Sequence, residues 1–467
     1  MMTKMTLRTT PLMLTMALAL SGCMSLAPKY ERPAAPVAAA FPAMATSSVS
    51  NEAAAQIEWQ RFFADARLKQ LIDLALVNNR DLRVAILNIE QARAQFQIRR
   101  ADQLPTIAAA ISGNRAPGPN DSTTSTYSAG FGVSAFELDF FGRVRNLSEA
   151  ALAQFLATEE ARKSTQISLV ASVANTYLAV LADDELLDLT RQTLGAREES
   201  LKLTQLKYDN GVVSNLDLQQ ALSLVDTARV VLAQQQRQRA QDANLLVLLV
   251  GGPLPDTLAA GNTLAQTALS ELPAGLPSDL LSVRPDIRAA EQQLIGANAN
   301  IGAARANFFP RISLTGTAGS ASSELSGLFK GGSFGWTFAP QAVLPIFDYG
   351  RNVATLGSAR AGRDIAVAQY ERSIQVAFRE VSDALAGQAT FAEQLRAQRS
   401  VAAAEAERFK LSDLRYRSGA SSYLDLLDAQ RSLFNAQQAS VQANLQRLQN
   451  QVTLYRVLGG GWTEPAR

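Results

Sequence analysis

Apolar residues recur at steps of three and four over much of the chain, the spacing of one face of an α-helix. In segments 142–208 and 350–416 the pattern runs for 67 residues without a proline. A helix of that length is about 100 Å long, and spacing sustained over that distance is typical of coiled-coil packing. An ordinary helical bundle with unmarked breaks is the alternative. Shorter helical patterns cover 67–102, 215–249, 286–306 and 423–457.

Two segments change to a period of two and predict β-hairpins, at about 104–138 and about 309–346. In the second, Phe334, Trp336 and Phe338 alternate with small or polar residues. Such a strand fits either the half-buried sheet of a soluble domain or a membrane strand that faces lipid on one side. Strands of about ten residues with aromatic residues at their ends favour the membrane. No mature segment is expected to cross it as a helix.

Four strands cannot close a barrel, and strand edges left unpaired in lipid are costly. If the hairpins lie in a membrane, several copies of the chain must therefore share one barrel. The predicted fold class is an α+β membrane protein, with two tandem repeats that build a shared transmembrane β-barrel and a long helical barrel.

The chain contains an internal duplication. The stretch LKYDNGVVSNLDLQQA (206–221) matches LRYRSGASSYLDLLDA (414–429), with eight of sixteen positions identical at an offset of 208 residues. The same offset relates FGR at 141–143 to YGR at 349–351. A period this long indicates a duplicated domain-sized unit rather than a solenoid. We assign repeat 1 to 59–252 and repeat 2 to 253–467.

The amino terminus has the pattern of a processing signal. Lys4 and Arg8 precede a short apolar run that ends in the tetrapeptide LSGC, residues 20–23. The run is too short to span a bilayer, and LSGC looks like a bacterial lipobox, in which Cys23 is acylated. We therefore predict a lipoprotein signal at 1–22 and an acylated, extended tether at 23–58, which is rich in proline and alanine.

The amino-acid composition excludes several kinds of functional site. The chain has no histidine and one cysteine, which excludes Cys/His zinc sites, His-dependent nucleophilic catalysis and an internal disulfide. Without the signal, the chain has 42 basic and 42 acidic residues and is formally neutral. No general basic surface for nucleic acid is therefore expected. We predict no enzymatic activity, no cofactor and no metal site.

Together these motifs resemble TolC-type outer-membrane efflux proteins, in particular the lipoprotein branch typified by OprM. The resemblance rests on the lipobox, the tether sequence APKYERP, the paired FGR and YGR turns, the paired Y-x-x-G-x-x-S-x-LDL segments and the closing LGGGW. It implies a homotrimer in the outer membrane, in contact with its lipid and extending into the periplasm. It also implies docking onto a periplasmic adaptor and an inner-membrane pump of the RND type.

The paired LDL segments are predicted to be the tips of two helical hairpins, at about 209–217 and about 417–425. Gly211 and Gly419 are expected to need a positive φ, and Ser214 and Ser422 are placed to cap the returning helices. Tyr208 and Tyr416, with the two glycines, are expected to contact the adaptor.

The resemblance also implies a gate in the turn after the second tip. Leu424, Asp428 and Arg431 match the family's constriction, and Asp425 shares their helical face. Repeat 1 keeps the leucine and the first aspartate of this group, as Leu216 and Asp217. It has Gln220 and Ser223 at the positions of Asp428 and Arg431.

A routine surface ion pair is the alternative interpretation of this gate. For the whole protein, the alternatives are an outer-membrane-anchored structural coiled coil without transport activity and a periplasmic hydrolase that uses carboxylates alone.

Overall fold

A computed structural model of the chain describes residues 25–41, 56–117, 123–270, 272 and 284–462. The predicted signal and the acylation site Cys23 lie outside the described residues. The helices are α1 (Trp59–Phe62), α2 (Ala66–Asn78), α3 (Arg80–Ala101), α4 (Arg143–Asp209), α5 (Asn215–Val250), α6 (Pro285–Ala306), α7 (Arg351–Arg417) and α8 (Tyr423–Val457). The strands are β1 (Ile107–Pro117), β2 (Thr123–Leu138), β3 (Arg311–Ser322) and β4 (Phe334–Val343).

The two long helices, α4 and α7, each contain 67 residues without a break. Each begins after a glycine with positive φ, Gly142 at 73° and Gly350 at 80°. The returning helices α5 and α8 contain 36 and 35 residues, about half that length. The ordinary bundle with unmarked breaks is therefore not what the long apolar patterns form.

The prediction of one helix over 67–102 is wrong, because the helix breaks at Asn79. This residue is extended, with φ −62° and ψ 132°, and its Oδ1 accepts a hydrogen bond from Leu82 N at 2.9 Å. Its Nδ2 donates to the carbonyl of Leu249 at 2.9 Å. The amide thus caps α3 and joins it to the end of α5, and these bonds compensate for the interrupted helix.

The four strands form one antiparallel sheet in the order β1–β2–β3–β4. The central β2–β3 pair joins the two repeats, with Tyr127 opposite Ser322 at one end and Leu138 opposite Ile312 at the other. β2, at 16 residues, is longer than expected. Its register shifts between Val133 and Phe136, where Ala135 has a φ of 49°, as in a β-bulge.

The two faces of this sheet differ in polarity. Phe334, Trp336 and Phe338 project from one face of β4 and are 62–73% exposed in the single chain. On the other face, Thr317 and Thr337 are hydrogen-bonded at 2.6 Å. Apolar side chains on one face and hydrogen-bonded hydroxyls on the other are typical of a barrel with lipid outside and water inside.

Among the described helices, α4 contains an 18-residue stretch apolar enough to cross a membrane, against the sequence expectation. Of that stretch, 56% is buried within the protein. Val173, Ala174 and Leu178, for example, are completely buried. The core helix of a folded domain has this composition, so the stretch is accounted for by packing.

The chain divides into two compact units. One, drawn from 1–35, 87–159 and 288–372, contains the sheet, most of α3 and α6, and the first parts of α4 and α7. Here the tether lies along α6: Arg32 binds Glu291 through two nitrogens at 2.7 and 2.8 Å, and Asn298 donates to the Pro28 carbonyl at 2.7 Å.

The other unit is drawn from 36–86, 160–287 and 373–467. It contains α2, α5, α8 and the remaining parts of both long helices, and therefore both hairpin tips. The ring of Tyr455 stacks on Phe62 with centroids 4.1 Å apart. The Tyr455 hydroxyl donates to the Ile57 carbonyl at 2.5 Å, so α1 and α8 share one core.

Candidate functional site: the two hairpin tips

The same backbone turn ends both long helices. Gly211 has a φ of 68° and Gly419 of 74°, which confirms the predicted positive φ. Gly211 N donates to the Tyr208 carbonyl at 2.9 Å, and Gly419 N donates to the Tyr416 carbonyl at 3.0 Å. Glycine adopts this left-handed conformation without the steric cost that a Cβ brings.

The predicted serine caps are confirmed, and each belongs to a reciprocal capping box. Asp217 N donates to Ser214 Oγ at 3.2 Å, and Asp217 Oδ2 accepts from Ser214 N at 3.0 Å. Asp425 and Ser422 make the same two bonds at 3.3 and 3.2 Å. Both aspartates therefore hold the first turn of a returning helix, a structural role that the gate assignment did not include.

Asp428, in the second turn of α8, is the centre of the charged cluster in repeat 2. Its carboxylate accepts a hydrogen bond from Arg408 on α7 and lies 3.4 Å from Arg431 Nη2 on its own helix. All three side chains are about half exposed. The Arg408 hydrogen bond, with the positive charges of both arginines, lowers the pKa of Asp428 below its usual value. The carboxylate is therefore ionised at neutral pH and links α8 to α7.

Repeat 1 carries an inter-helix ion pair of the opposite orientation. Here the acid, Glu198, lies on the long helix α4, and the base, Arg229, lies on α5, with Oε1 and Nη2 2.9 Å apart. Arg229 is the fifteenth residue after the cap Ser214, whereas Asp428 is the sixth after Ser422. At 1.5 Å per residue, the repeat 1 pair is about 14 Å farther from its tip.

An apolar cluster packs the two hairpins together. Its buried members are Ala221, Tyr423, Leu426 and Leu427, and its partly buried neighbours are Leu201, Leu224, Phe409 and Tyr416, so that all four tip helices contribute to the cluster. Lys207 Nζ of repeat 1 donates to the Tyr416 hydroxyl at 3.3 Å and lies 4.8 Å from the centre of that ring. The tips are therefore joined by apolar packing and by a cation–π contact.

The other predicted site residues differ in what they contact. Leu216 and Leu424 are exposed in the single chain, at 66% and 55%, so they are free to meet another molecule or another copy. Tyr208 is exposed at the first tip. The ring of Tyr416 instead packs on Tyr423, with centroids 5.3 Å apart, which leaves less of it for a partner.

Sequence reasoning missed Arg408, Lys207 and the Glu198–Arg229 pair. A signal was available for the pair of Arg408 and Asp428. Once Gly211 and Gly419 are taken as the turning points, residues at similar distances along the two arms face each other. Arg408 and Asp428 lie 11 and 9 residues from Gly419.

Comparisons with known proteins give the family. The sequence profile described as "Outer membrane efflux protein" matches residues 71–252 and 276–460. The chain is 51% identical to the Pseudomonas putida protein named "Probable efflux pump outer membrane protein TtgC", over 96% of this chain and 94% of that protein. It is 46% identical to "Outer membrane protein OprJ" of Pseudomonas aeruginosa, over 97% and 95%.

Solved structures agree. The chain matches the open state of the MtrE outer membrane channel of Neisseria gonorrhoeae with a TM-score of 0.87 and 40% identity, over 94% of this chain and 98% of that one. It also matches the Campylobacter jejuni CmeC outer membrane channel, with a TM-score of 0.86 and 26% identity, over 95% and 96%. The predicted fold class, outer-membrane location and efflux role are confirmed by these likenesses, and the structural coiled coil without transport activity is not supported. This chain belongs to the outer membrane efflux protein family.

Proposed function

We propose that the protein is the passive exit duct of a tripartite efflux system and is closed at rest by the repeat 2 hairpin tip. Three copies would contribute four strands each to a twelve-stranded barrel. The sheet supports sharing of the barrel, because in the described part of the chain β1 and β4 each have one unpaired edge. An edge of this kind is not tolerated in lipid. Acylation of Cys23 would add an anchor in the outer membrane.

Drugs or other small toxic compounds are the proposed cargo. Relatives about half identical to this chain are named as toluene, solvent and antibiotic efflux pump proteins of Pseudomonas putida. An inner-membrane pump of the RND type would choose the compound and supply the energy. A periplasmic adaptor would join pump and duct at the hairpin tips, where Tyr208, Gly211, Tyr416 and Gly419 are the proposed contacts.

The single observation that carries the gate is the bond between Asp428 and Arg408. It joins the returning helix of repeat 2 to its long helix beside an exposed leucine, Leu424. Around a threefold axis, Leu424 would form an apolar ring, and Asp428 with Arg431 a charged one. Leu216 and the capping aspartates Asp217 and Asp425 would shape and hold the surrounding wall. An adaptor that binds the dilated form more tightly would open the duct by shifting this equilibrium.

Single-channel conductance in planar bilayers tests the gate. We expect Asp428→Ala with Arg431→Ala to raise the conductance of the purified protein several-fold, because the α7–α8 link and the charged ring are both lost. The matched control is Glu198→Ala with Arg229→Ala, which removes the ion pair of repeat 1. Unchanged conductance in the first variant, or an equal rise in the control, would reject a gate specific to repeat 2.

A further inference from the structure

Arg197 is a buried cation in the packing between the two repeats. It lies on α4, twelve residues before the end of that helix at Asp209, or about 18 Å along the axis. The residue is only 5% exposed. Its guanidinium carbon lies 5.3 Å from the centre of the Phe434 ring on α8. A charge in such a place requires compensation, because removal of an ion from water costs several kcal/mol.

The protein supplies only part of that compensation. Arg197 Nη1 donates to the Leu224 carbonyl at 3.1 Å, and the face of Phe434 adds a cation–π contact. Nε is buried and has no hydrogen-bond partner among the described residues. Arginine does not lose its proton in proteins, so both the charge and an unused N–H donor remain.

No described carboxylate is shown to pair with this charge. Glu198, the next residue, binds Arg229, and Asp428 is held by Arg408 and Arg431. The charged side chain that acts on Arg197 is another cation: burial, and then the positive charge of Arg431, lowers the pKa of Arg197. The local excess of positive charge therefore favours a negative ligand from solution.

A cavity of about 100 Å³ lies against Arg197. Its lining includes two aromatic residues, Phe409 and Phe434, and two glutamines, Gln430 and Gln437. One water needs roughly 10–15 Å³ of such space, so a small ion with a few waters fits. The glutamine amides offer N–H donors that, like Arg197 Nε, suit an anion.

We propose that this cavity binds chloride, held by the Arg197 guanidinium and the side-chain amides of Gln430 and Gln437. The bound anion would compensate the buried cation and shield it from Arg431, and so stabilise the packing of α4 against α8. Gln430 directly precedes Arg431 in α8, so occupancy is coupled to the position of the repeat 2 charges. The site itself does not depend on the gate proposal.

Bromide replaces chloride in such sites and can be located by its anomalous scattering. Crystals of the purified protein grown in sodium bromide should show a peak within hydrogen-bonding distance of Arg197 Nε. The peak should be absent in Arg197→Met, which keeps the length of the side chain without its charge. Bromide peaks elsewhere but none here, or a carboxylate of a neighbouring copy beside Arg197, would overturn the proposal.

A solution measurement separates binding from crystal packing. The midpoint of thermal unfolding in detergent should rise, and then saturate, as chloride replaces gluconate at constant ionic strength, because gluconate is too large for the cavity. Arg197→Met should abolish this shift. Arg239→Met is the matched control, since Arg239 already binds Asp184 at 3.0 Å, and it should keep the full shift. A wild-type midpoint that does not respond to chloride counts against the site.

Discussion

At the carboxyl end of α5 the Leu249 carbonyl accepts a hydrogen bond from Asn79, and at the carboxyl end of α8 the equivalent Val457 carbonyl accepts one from Arg284, at 3.1 Å. The two donors occupy the same position of the repeat, because the offset in the first helix of the unit is 205 residues, as between Asp81 and Asp286. Both side chains are buried, but Asn79 is neutral, whereas Arg284 is charged and also binds Asp286 and Glu380. The backbone acceptor is thus kept in both copies, and the side chain that reaches it has changed.

The two hairpin tips also share their backbone contacts and differ in their side-chain contacts. Positive-φ glycines and serine capping boxes are alike in both repeats because they satisfy backbone groups, whose positions the fold determines. The ion pairs, which join side chain to side chain, have reversed orientation and moved along the hairpin. Duplication therefore preserved the contacts that shape the chain and left its charged contacts free to diverge, which is where a function specific to one copy can arise.

The largest expected effect lies at the helix junctions. Arg284→Met should lower the free energy of unfolding by about 3 kcal/mol, because Asp286 loses its cation and Glu380 keeps only Arg456, at 3.5 Å. Asn79→Ala should cost about 1–2 kcal/mol, the value of a cap and one hydrogen bond. Urea unfolding in detergent, followed by circular dichroism, measures both. Equal losses would show that the charge at position 284 adds nothing to the role shared by the two copies.

The next largest effect is expected when the charges of the ion pair at the repeat 2 tip are exchanged. Arg408→Asp alone should raise channel conductance, because Asp428 then faces a like charge, and Arg408→Asp with Asp428→Arg should bring it back towards wild type. The same single and double changes at Glu198 and Arg229 should leave conductance near wild type. If the double variant at 408 and 428 conducts like the single one, the pair itself does not close the channel.

Loss of the capping serine should have the same effect at both tips. Ser214→Ala and Ser422→Ala each remove one of two reciprocal bonds and should each cost about 1 kcal/mol of local stability. Amide hydrogen exchange in the first turns of α5 and α8 measures this directly. A clear difference between the two tips would mean that neighbouring contacts, and not the shared box, hold one of them.

The smallest effect concerns pH and is confined to repeat 1. Burial, and then a hydrogen bond and negative charge from Asp242, raise the pKa of Asp183 to about 7. A carboxyl group whose pKa is raised in the folded protein keeps its proton there after the unfolded chain has lost it. Stability should therefore fall as pH rises from about 4 to about 7 and then level off. Repeat 2 has Phe391 and Asn450 at these positions.

Thermal unfolding between pH 5 and pH 8 checks this prediction. Asp183→Asn should flatten the decrease, and Asp188→Asn, whose parent carboxylate is exposed and lies 3.3 Å from Arg191, should keep it. A wild-type midpoint that rises over this range would contradict the sign of the effect.

Features repeated along the chain were predictable from sequence. The offset of 208 residues fixed the extent of both long helices to within one residue, and it marked the tip glycines and their serine caps. These features depend on local backbone geometry, which short sequence patterns encode well. The two β-hairpins were predicted from an equally local pattern, the alternation of apolar and polar residues.

Features that depend on contacts between distant segments were missed. The break at Asn79 is compensated by a carbonyl 170 residues away, and the partner of Asp428 lies on another helix. The capping role of Asp217 and Asp425 could have been recognised from the S-x-x-D spacing alone. The buried position of Arg197 had no such signal, because arginine is usually found at the surface.

The equal length of α4 and α7 constrains how this chain can evolve. Loss of a single residue from one of these helices would rotate all the residues that follow it in that helix by about 100° and shorten the helix by about 1.5 Å. The other helix would be unchanged. We therefore expect a functional insertion or deletion in one of these helices to require a matching change in the other. The shared length of 67 residues is therefore a property of the pair of helices rather than of either one alone.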